Sequence, residues 1–225
     1  MQKALQRIFS LFTKANPPQK MHRRKTKGQS LVEVAIAFPV LIMLFTGVVE
    51  FGFIINFYLS LVDATRDAAR LYSNEDPFLA NGTTDDPDFY LQTARLVQRT
   101  LDPTIDKAGY RGRRIVLDPE IDDVIVSVYG ASGSTITLWR DLGSYHLFAT
   151  PAKPDGNYPS IFTAADIINT RVAGAPDAGF LVVEVHYNYH HVLGLPWFTA
   201  VIPNPLHLRA YTIMPIRAGE PAPAP

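Results

Sequence analysis

Residues 23–38 read RRKTKGQSLVEVAIAF: a basic run closes on Gly28, and an apolar stretch begins almost at once. That stretch carries one acid, Glu33, five residues after the glycine. A carboxylate at the mouth of a membrane segment costs a few kcal/mol unless something compensates it, so the position marks a functional site. Val34 to Val49 is free of charge, Glu50 interrupts, and Phe51 to Val62 is again uncharged, with Asn56 its main polar member. A spanning helix needs about 20 mostly apolar residues. Leu31 to Leu59 supplies more than that, which implies a tilt or an exposed end. A cleaved secretory signal would have a shorter apolar region closed by a small-x-small site. Here the run is too long, and the glycine precedes it.

The 225 residues carry 21 bases and 21 acids, but this balance hides an asymmetry. Eight bases (Lys3, Arg7, Lys14, Lys20, Arg23, Arg24, Lys25, Lys27) and no acid lie within residues 1–28, so the remainder bears a formal charge of −8. The bases precede the apolar run, and the positive-inside rule puts residues 1–28 in the cytoplasm and the following domain outside. The length allows one domain plus a membrane anchor. The sequence has no cysteine, which excludes a disulfide framework and thiolate metal sites.

Pro39 lies inside the apolar helix, where it removes a backbone hydrogen bond and favours a kink. Membrane helices tolerate this better than soluble ones. Glu50 has two readings, a marker of the outer interface or a buried pairing site between subunits. At 1.5 Å per residue a helix beginning near Leu31 reaches the far headgroups at about that depth, which favours the interface. Beyond it, Leu59, Val62, Ala69 and Tyr72 are spaced for one face, with Asp63, Arg66, Asp67 and Arg70 on others and placed to pair. Gln29 to Tyr72 reads as one helix of roughly 66 Å.

The polar run after Tyr72 is a loop, with Asn81-Gly82-Thr83 as a chance-level glycosylation pattern. A second helix is expected over about Asp88–Leu101. Arg114–Leu117 and Val124–Tyr129 read as strands, residues 130–134 as a turn and Thr135–Trp139 as the returning strand. Thr163 to Val172 suits a short helix capped by Thr163. Phe180–Tyr189 alternates, with Leu181, Val183, Val185 and Tyr187 on one face, and Leu206–Met214 is the last strand. The organisation is therefore a basic leader over 1–28, a transmembrane and amphipathic helix over 29–73, an extracytoplasmic α+β domain over 74–218 and a disordered tail over 219–225. The domain is a long N-terminal helix on a small antiparallel sheet, of which an edge strand is able to pair with a neighbour.

Chemical motifs are sparse. His186, His190 and His191 stand on strand sequence with poor chelating geometry and read as surface or pairing histidines. Asp118, Glu120, Asp122 and Asp123 lack the glycine and terminal glutamate of a calcium loop and read as a solvated cluster. Arg111, Arg113 and Arg114 are too few for nucleic-acid recognition. With no nucleophile elbow, zinc-helix or phosphate-loop motif, neither an enzyme nor a cofactor, metal or small-molecule substrate is expected.

The segment from Gly28 to Ser73 resembles the N-terminal module of TadE-like proteins, pseudopilins of the tight-adherence (Tad, Flp-type) pilus assembly system. The resemblance rests on Gly28, Val32-Glu33-Val34-Ala35, Pro39, Val49-Glu50-Phe51-Gly52, Ala64 and Asp67-Ala68-Ala69-Arg70 in that order. Val34 departs from the usual phenylalanine, and the leader is longer. The matched region is about a fifth of the chain, and its specificity lies in the order of the elements together. The resemblance implies cleavage by a prepilin peptidase between Gly28 and Gln29, at the fifth residue before Glu33. Glycine suits such a site because it lets an extended backbone come close, and the eight bases hold the bond at the cytoplasmic face. Glu33 would then neutralise an amino-terminal charge of its own or a neighbouring subunit. Its alternative is a helix-start acid favoured by the helix dipole. Glu50 and Pro39 join Glu33 as assembly residues, and the partners implied are the peptidase, other pilins and the membrane. The function implied is that of a minor pilin or pseudopilin, single-pass and associated with a pilus at the cell surface. The rival readings are an anchored binding module that never polymerises and a membrane-tethered enzyme using the acidic cluster.

Overall fold

The apolar run forms a single α-helix, α1 (Lys27–Tyr72), that continues through Pro39. The computed structural model describes residues 27–79, 84–133, 135–140, 142–170 and 176–216. The leader before Lys27, the Asn81-Gly82-Thr83 pattern and the tail lie outside them. The chain divides into two units, Met1–Leu44 and Phe45–Pro225, with the boundary inside α1.

In the first unit, residues 28–44 of α1 are exposed all round, including Leu31, Ile36 and Leu41. An apolar helix with no polar face is the composition of a lipid-embedded segment.

In the second unit, α1 buries one stripe. Glu50, Ile54, Leu61, Ala64, Thr65, Ala68 and Ala69 are buried, and Phe57 is half-buried. Steps of three and four keep these positions on one face. The expected stripe is thereby corrected: Leu59 is 52% exposed, whereas Leu61 is fully buried. Leu61, Ala64 and Ala68 follow one another at steps of three and four on the face that meets the sheet, and Leu59 falls on another face. Asp63, Arg66, Asp67 and Arg70 are exposed as expected, but among the described residues they form no ion pair with one another.

The second helix, α2 (Pro87–Leu101), starts where Asp86 accepts the Asp88 N–H at 2.9 Å and Pro87 occupies the first helical position. A 3₁₀ turn, Pro103–Ile105, follows. The sheet contains β1 (Asp123–Ser132), β2 (Thr135–Leu138), β3 (Tyr145–His146), β4 (Ala178–Tyr189) and β5 (Leu206–Ile216). Its order is β2-β1-β4-β5 with all pairs antiparallel, and β3 extends the β2 side of β1. Short helices α3 (Ala164–Thr170) and α4 (Pro196–Thr199) complete the described elements. At α3, the Thr163 N–H and hydroxyl both donate to Asp166 Oδ2, at 2.9 and 2.6 Å, so the first-turn acid reaches back to Thr163 and the Thr163 side chain does not itself accept the helix N–H.

Arg114–Leu117 is not a strand. Ile115 and Leu117 are buried and Val116 is exposed, so the alternation is real. The Ile115 N–H, however, donates to the Leu101 carbonyl at the end of α2, which removes it from any sheet ladder. Residues 130–132, read as turn, extend β1 instead, and Gly130 lies where a Cβ would stand 2.3 Å from the Trp139 indole nitrogen.

The sheet is covered on both faces. Leu181, Val183 and Val185 of β4 join Val124, Val126 and Val128 of β1 against Leu61, Ala64 and Ala68 of α1 and Tyr90, Ala94 and Val97 of α2. On the other face Tyr129 and Val182 pack with Ile167 of α3. Thr65 Oγ1 bonds the Val62 carbonyl at 2.9 Å and meets Thr212 Oγ1 at 3.0 Å, so Thr212 supplies the proton that ties α1 to β5. Leu181→Ala removes a fully buried side chain from this layer and is expected to cost about 2–5 kcal/mol. Leu41→Ala, on the exposed apolar helix, is expected to leave the domain's stability unchanged; denaturant unfolding of the full chain in detergent, followed by tryptophan emission, distinguishes the two.

Candidate functional site: the Glu50 clasp and the N-terminal helix

Glu50 stands one turn before Ile54 on the buried stripe of α1, and the residue is 1% exposed. The inward residues of β4 run past the helix in the opposite direction. Tyr187 stacks on Phe57 at 6.0 Å, and Tyr189 meets Phe57 edge-on at 4.9 Å. The Arg113 guanidinium lies 4.1 Å from the Phe57 ring. This alternation carries Tyr189 to the end of the strand, where its hydroxyl donates to Glu50 Oε1 at 2.7 Å. The chain then turns, and the N–H groups of Val192 and Leu193 donate to the two oxygens of Glu50 at 2.9 and 2.8 Å.

His191 closes the arrangement. Its Nδ1 lies 3.4 Å from Glu50 Oε1, and its Nε2 lies 2.9 Å from the Pro203 carbonyl. A carbonyl only accepts, so Nε2 carries a proton. Burial, followed by the bond to Glu50, raises the Tyr189 phenol above its ordinary range and keeps it a donor. A carboxylate receiving three donors, two of them from backbone, is adequately compensated for leaving water. Glu50 is therefore buried, and the three donors to its carboxylate come from its own chain.

The other sequence-derived positions are exposed. Gly28 has no atom within 4 Å of the place a Cβ would take. Gln29 Nε2 donates to Glu33 Oε1 at 3.3 Å, one helical turn on. Pro39 is exposed. Gly28, Gln29 and Glu33 thus share the first turns of α1, whereas Glu50 belongs to the folded domain.

The acidic cluster does not form a solvated loop. Asp118 and Glu120 are exposed, but Asp122 and Asp123 are buried. Asp122 accepts the N–H groups of Asp118 and Asn188, both at 2.8 Å. Burial pushes its carboxyl above the usual range against those bonds. Asp123 accepts from the backbone of Val124 at 2.9 Å and Asn157 at 3.1 Å, and it meets His146 Nδ1 at 3.0 Å. Gly156, at φ +61°, leaves room for this carboxylate; a Cβ there would stand 1.9 Å from Asp123 Oδ2. These acids staple the β1 entrance to the loops around it.

The histidines also differ from expectation. His190 is exposed, but His186 and His191 are buried. His186 Nδ1 faces His207 Nε2 at 3.1 Å across the β4–β5 pair, and Tyr158 stacks on both rings at 4.7 and 4.5 Å. Glu184, fully buried two residues before His186, accepts the Ile161 N–H at 3.1 Å and the Ser160 hydroxyl. Among the described residues no three His, Asp or Glu side chains converge to hold a metal ion. The signal available for Glu50 was its isolation in an apolar run; nothing local marked Tyr189, Val192 or Leu193 as its partners.

These features define a protein with an α+β domain and one N-terminal helix long and apolar enough to serve as a single-pass membrane anchor. The family model described as TadE-like protein matches residues 28–70, all of them within α1. This chain therefore carries a TadE-like segment, and the family is one of Tad pilus-related proteins. No curated protein and no solved structure matches the chain.

Glu50→Ala leaves the Tyr189 hydroxyl and two backbone N–H groups without an acceptor and is expected to destabilise the domain by about 3 kcal/mol. Cleavage by chymotrypsin near Trp197 and Phe198 is expected to accelerate in that variant, as read by mass spectrometry. A second expectation concerns pH. Burial, then His186 and Arg209, lower the His207 pKa below its ordinary 6.5. Below about pH 6.5 the unfolded chain then binds more protons than the native one, and the stability present above that pH declines as pH falls. His207→Asn is expected to flatten this decline in melting temperatures measured between about pH 7 and about pH 5.

Proposed function

We propose that this protein is a minor pilin or pseudopilin of a Tad-type pilus or related secretion filament. It is made with a cytoplasmic leader, processed by a prepilin peptidase between Gly28 and Gln29, and acts structurally, without catalysis. The observation that carries the reading is the match of residues 28–70 to the TadE-like model on a helix whose first unit is apolar and exposed on every side. Such a surface needs lipid before assembly and other helices after it.

Three further features support the reading. The open space at Gly28 suits close approach of a protease backbone. Gln29 and Glu33 already lie within hydrogen-bond reach, so the amino group created by cleavage would arise one turn from the carboxylate. Beyond Glu50, Phe51, Ile55, Tyr58 and Leu59 are exposed on the side of α1 away from the sheet. They provide an apolar strip for a neighbouring pilin helix outside the bilayer.

With active prepilin peptidase co-expressed, the membrane form is expected to begin at Gln29 by intact mass and N-terminal sequencing. An unprocessed Met1 form despite active peptidase would leave a plain single-pass anchor and favour the binding-module reading. Glu33→Ala is expected to remain anchored yet to enter filaments poorly in a pilus-shearing assay; filaments formed at the normal level would overturn the pairing role of Glu33.

A further inference from the structure

From Val185 to Leu208 the chain contains no Asp, Glu, Lys or Arg. The middle of this stretch, HVLGLPWFTAVIPN at 191–204, is the connection between β4 and β5. Connections that run through water are normally polar. This one leaves Val192, Leu193, Trp197 and Val201 exposed, Val201 by 84%. It is nonetheless well held: His191 packs edge-on against Phe198 at 5.0 Å and bonds the Pro203 carbonyl, while α4 forms its turn.

The loop is fastened to α1 at two neighbouring turns. Val192 and Leu193 bind Glu50, and the Trp197 indole N–H makes a long contact of 3.4 Å with Thr46 Oγ1. A span of about 20 residues that starts near Leu31 ends near Glu50. The loop is therefore pinned to the helix at the level where the chain leaves the hydrocarbon. Tryptophan is enriched at that depth, with its ring among the headgroups and its N–H satisfied by polar groups.

We infer that residues 192–203 form a membrane-interface foot, in which Trp197, Leu193 and Val201 insert into the headgroup and upper acyl region of the outer leaflet beside the spanning helix. The occupant is lipid because the apolar loop is continuous with the apolar helix through the Thr46 and Glu50 contacts and carries no charge of its own. The foot supports the domain at the bilayer from a second point, while the clasp keeps the Glu50 carboxylate out of lipid. The inference rests on the reading of α1 as a membrane span, and its test separates the two.

The full chain is reconstituted in phosphatidylcholine vesicles brominated either near the headgroup or deep in the acyl chains. Trp197 emission is expected to be quenched more by the shallow bromines, and Trp197→Phe is expected to remove the quenched component, leaving only Trp139. In the Trp197→Phe background, Val201→Trp should restore shallow quenching, and Leu41→Trp should report deep quenching. Deep quenching of Leu41→Trp without quenching of Trp197 or of Val201→Trp would leave the span standing and overturn the foot, turning the loop toward another protein subunit. Absence of quenching at all three positions would overturn the foot and the span together.

Discussion

Three donors converge on the Glu50 carboxylate where α1 meets the end of β4, and much of the domain's geometry depends on their doing so. An acid buried in an apolar seam is tolerable only when its oxygens are satisfied. Satisfying them requires Tyr189 at the last inward position of β4 and a turn directly after it that points two backbone N–H groups at the helix. That requirement fixes the register of the strand against α1, with Tyr187 and Tyr189 on Phe57. It also fixes the origin of the loop that returns as β5.

Other buried polar groups work in a similar way on the opposite sheet face. Asp123 pairs in register with His186, and Ile125 with Glu184, so alternate residues of β1 and β4 present acids and histidines where the other face presents valines. The loops that cover this side pack through Tyr158 and Phe162. They are held by carboxylates accepting backbone N–H groups, from Asn157 to Asp123 and from Ile161 to Glu184. Directional bonds position irregular backbone where shape-filling alone would not. The acidic residues are thus used as internal fasteners, which accounts for a run of acids that resembles a loop in sequence yet is half hidden in the fold.

One helix carries both the apolar segment suited to a membrane anchor and a buried face of the folded domain. The first unit of α1 offers apolar surface without a preferred side, as lipid and neighbouring helices require. The second sets Leu61, Ala64 and Ala68 along the stripe that meets the sheet. A TadE-like segment matched over residues 28–70 therefore spans two physical regimes, and Glu50 stands close to their junction. The proposed pilin role uses both: an amino-terminal region free to exchange lipid for other helices, and a domain fixed to the same helix so that it travels with it.

The apolar run, its flanking bases and the order Gly28, Glu33, Pro39, Glu50 were readable in one dimension, because hydropathy and charge over about 20 residues depend on composition alone. The α2 helix, β1, β2, β4 and β5 were also legible, since capping residues and twofold alternation are local signals. What the alternation left open was whether its pattern found a partner: Ile115 and Leu117 alternate as a strand does, yet their backbone is taken by the end of α2. The buried face of α1 was misplaced for a related reason, as bulk marks an apolar residue but only packing reveals that Ala64 and Ala68, not Leu59, lie against the sheet. The fate of Glu50, Asp122, Asp123 and His186 was decided entirely in three dimensions. A charged or titratable residue is buried only if donors or acceptors far along the chain arrive to satisfy it, and the donor to Glu50 from Tyr189 lies 139 residues away.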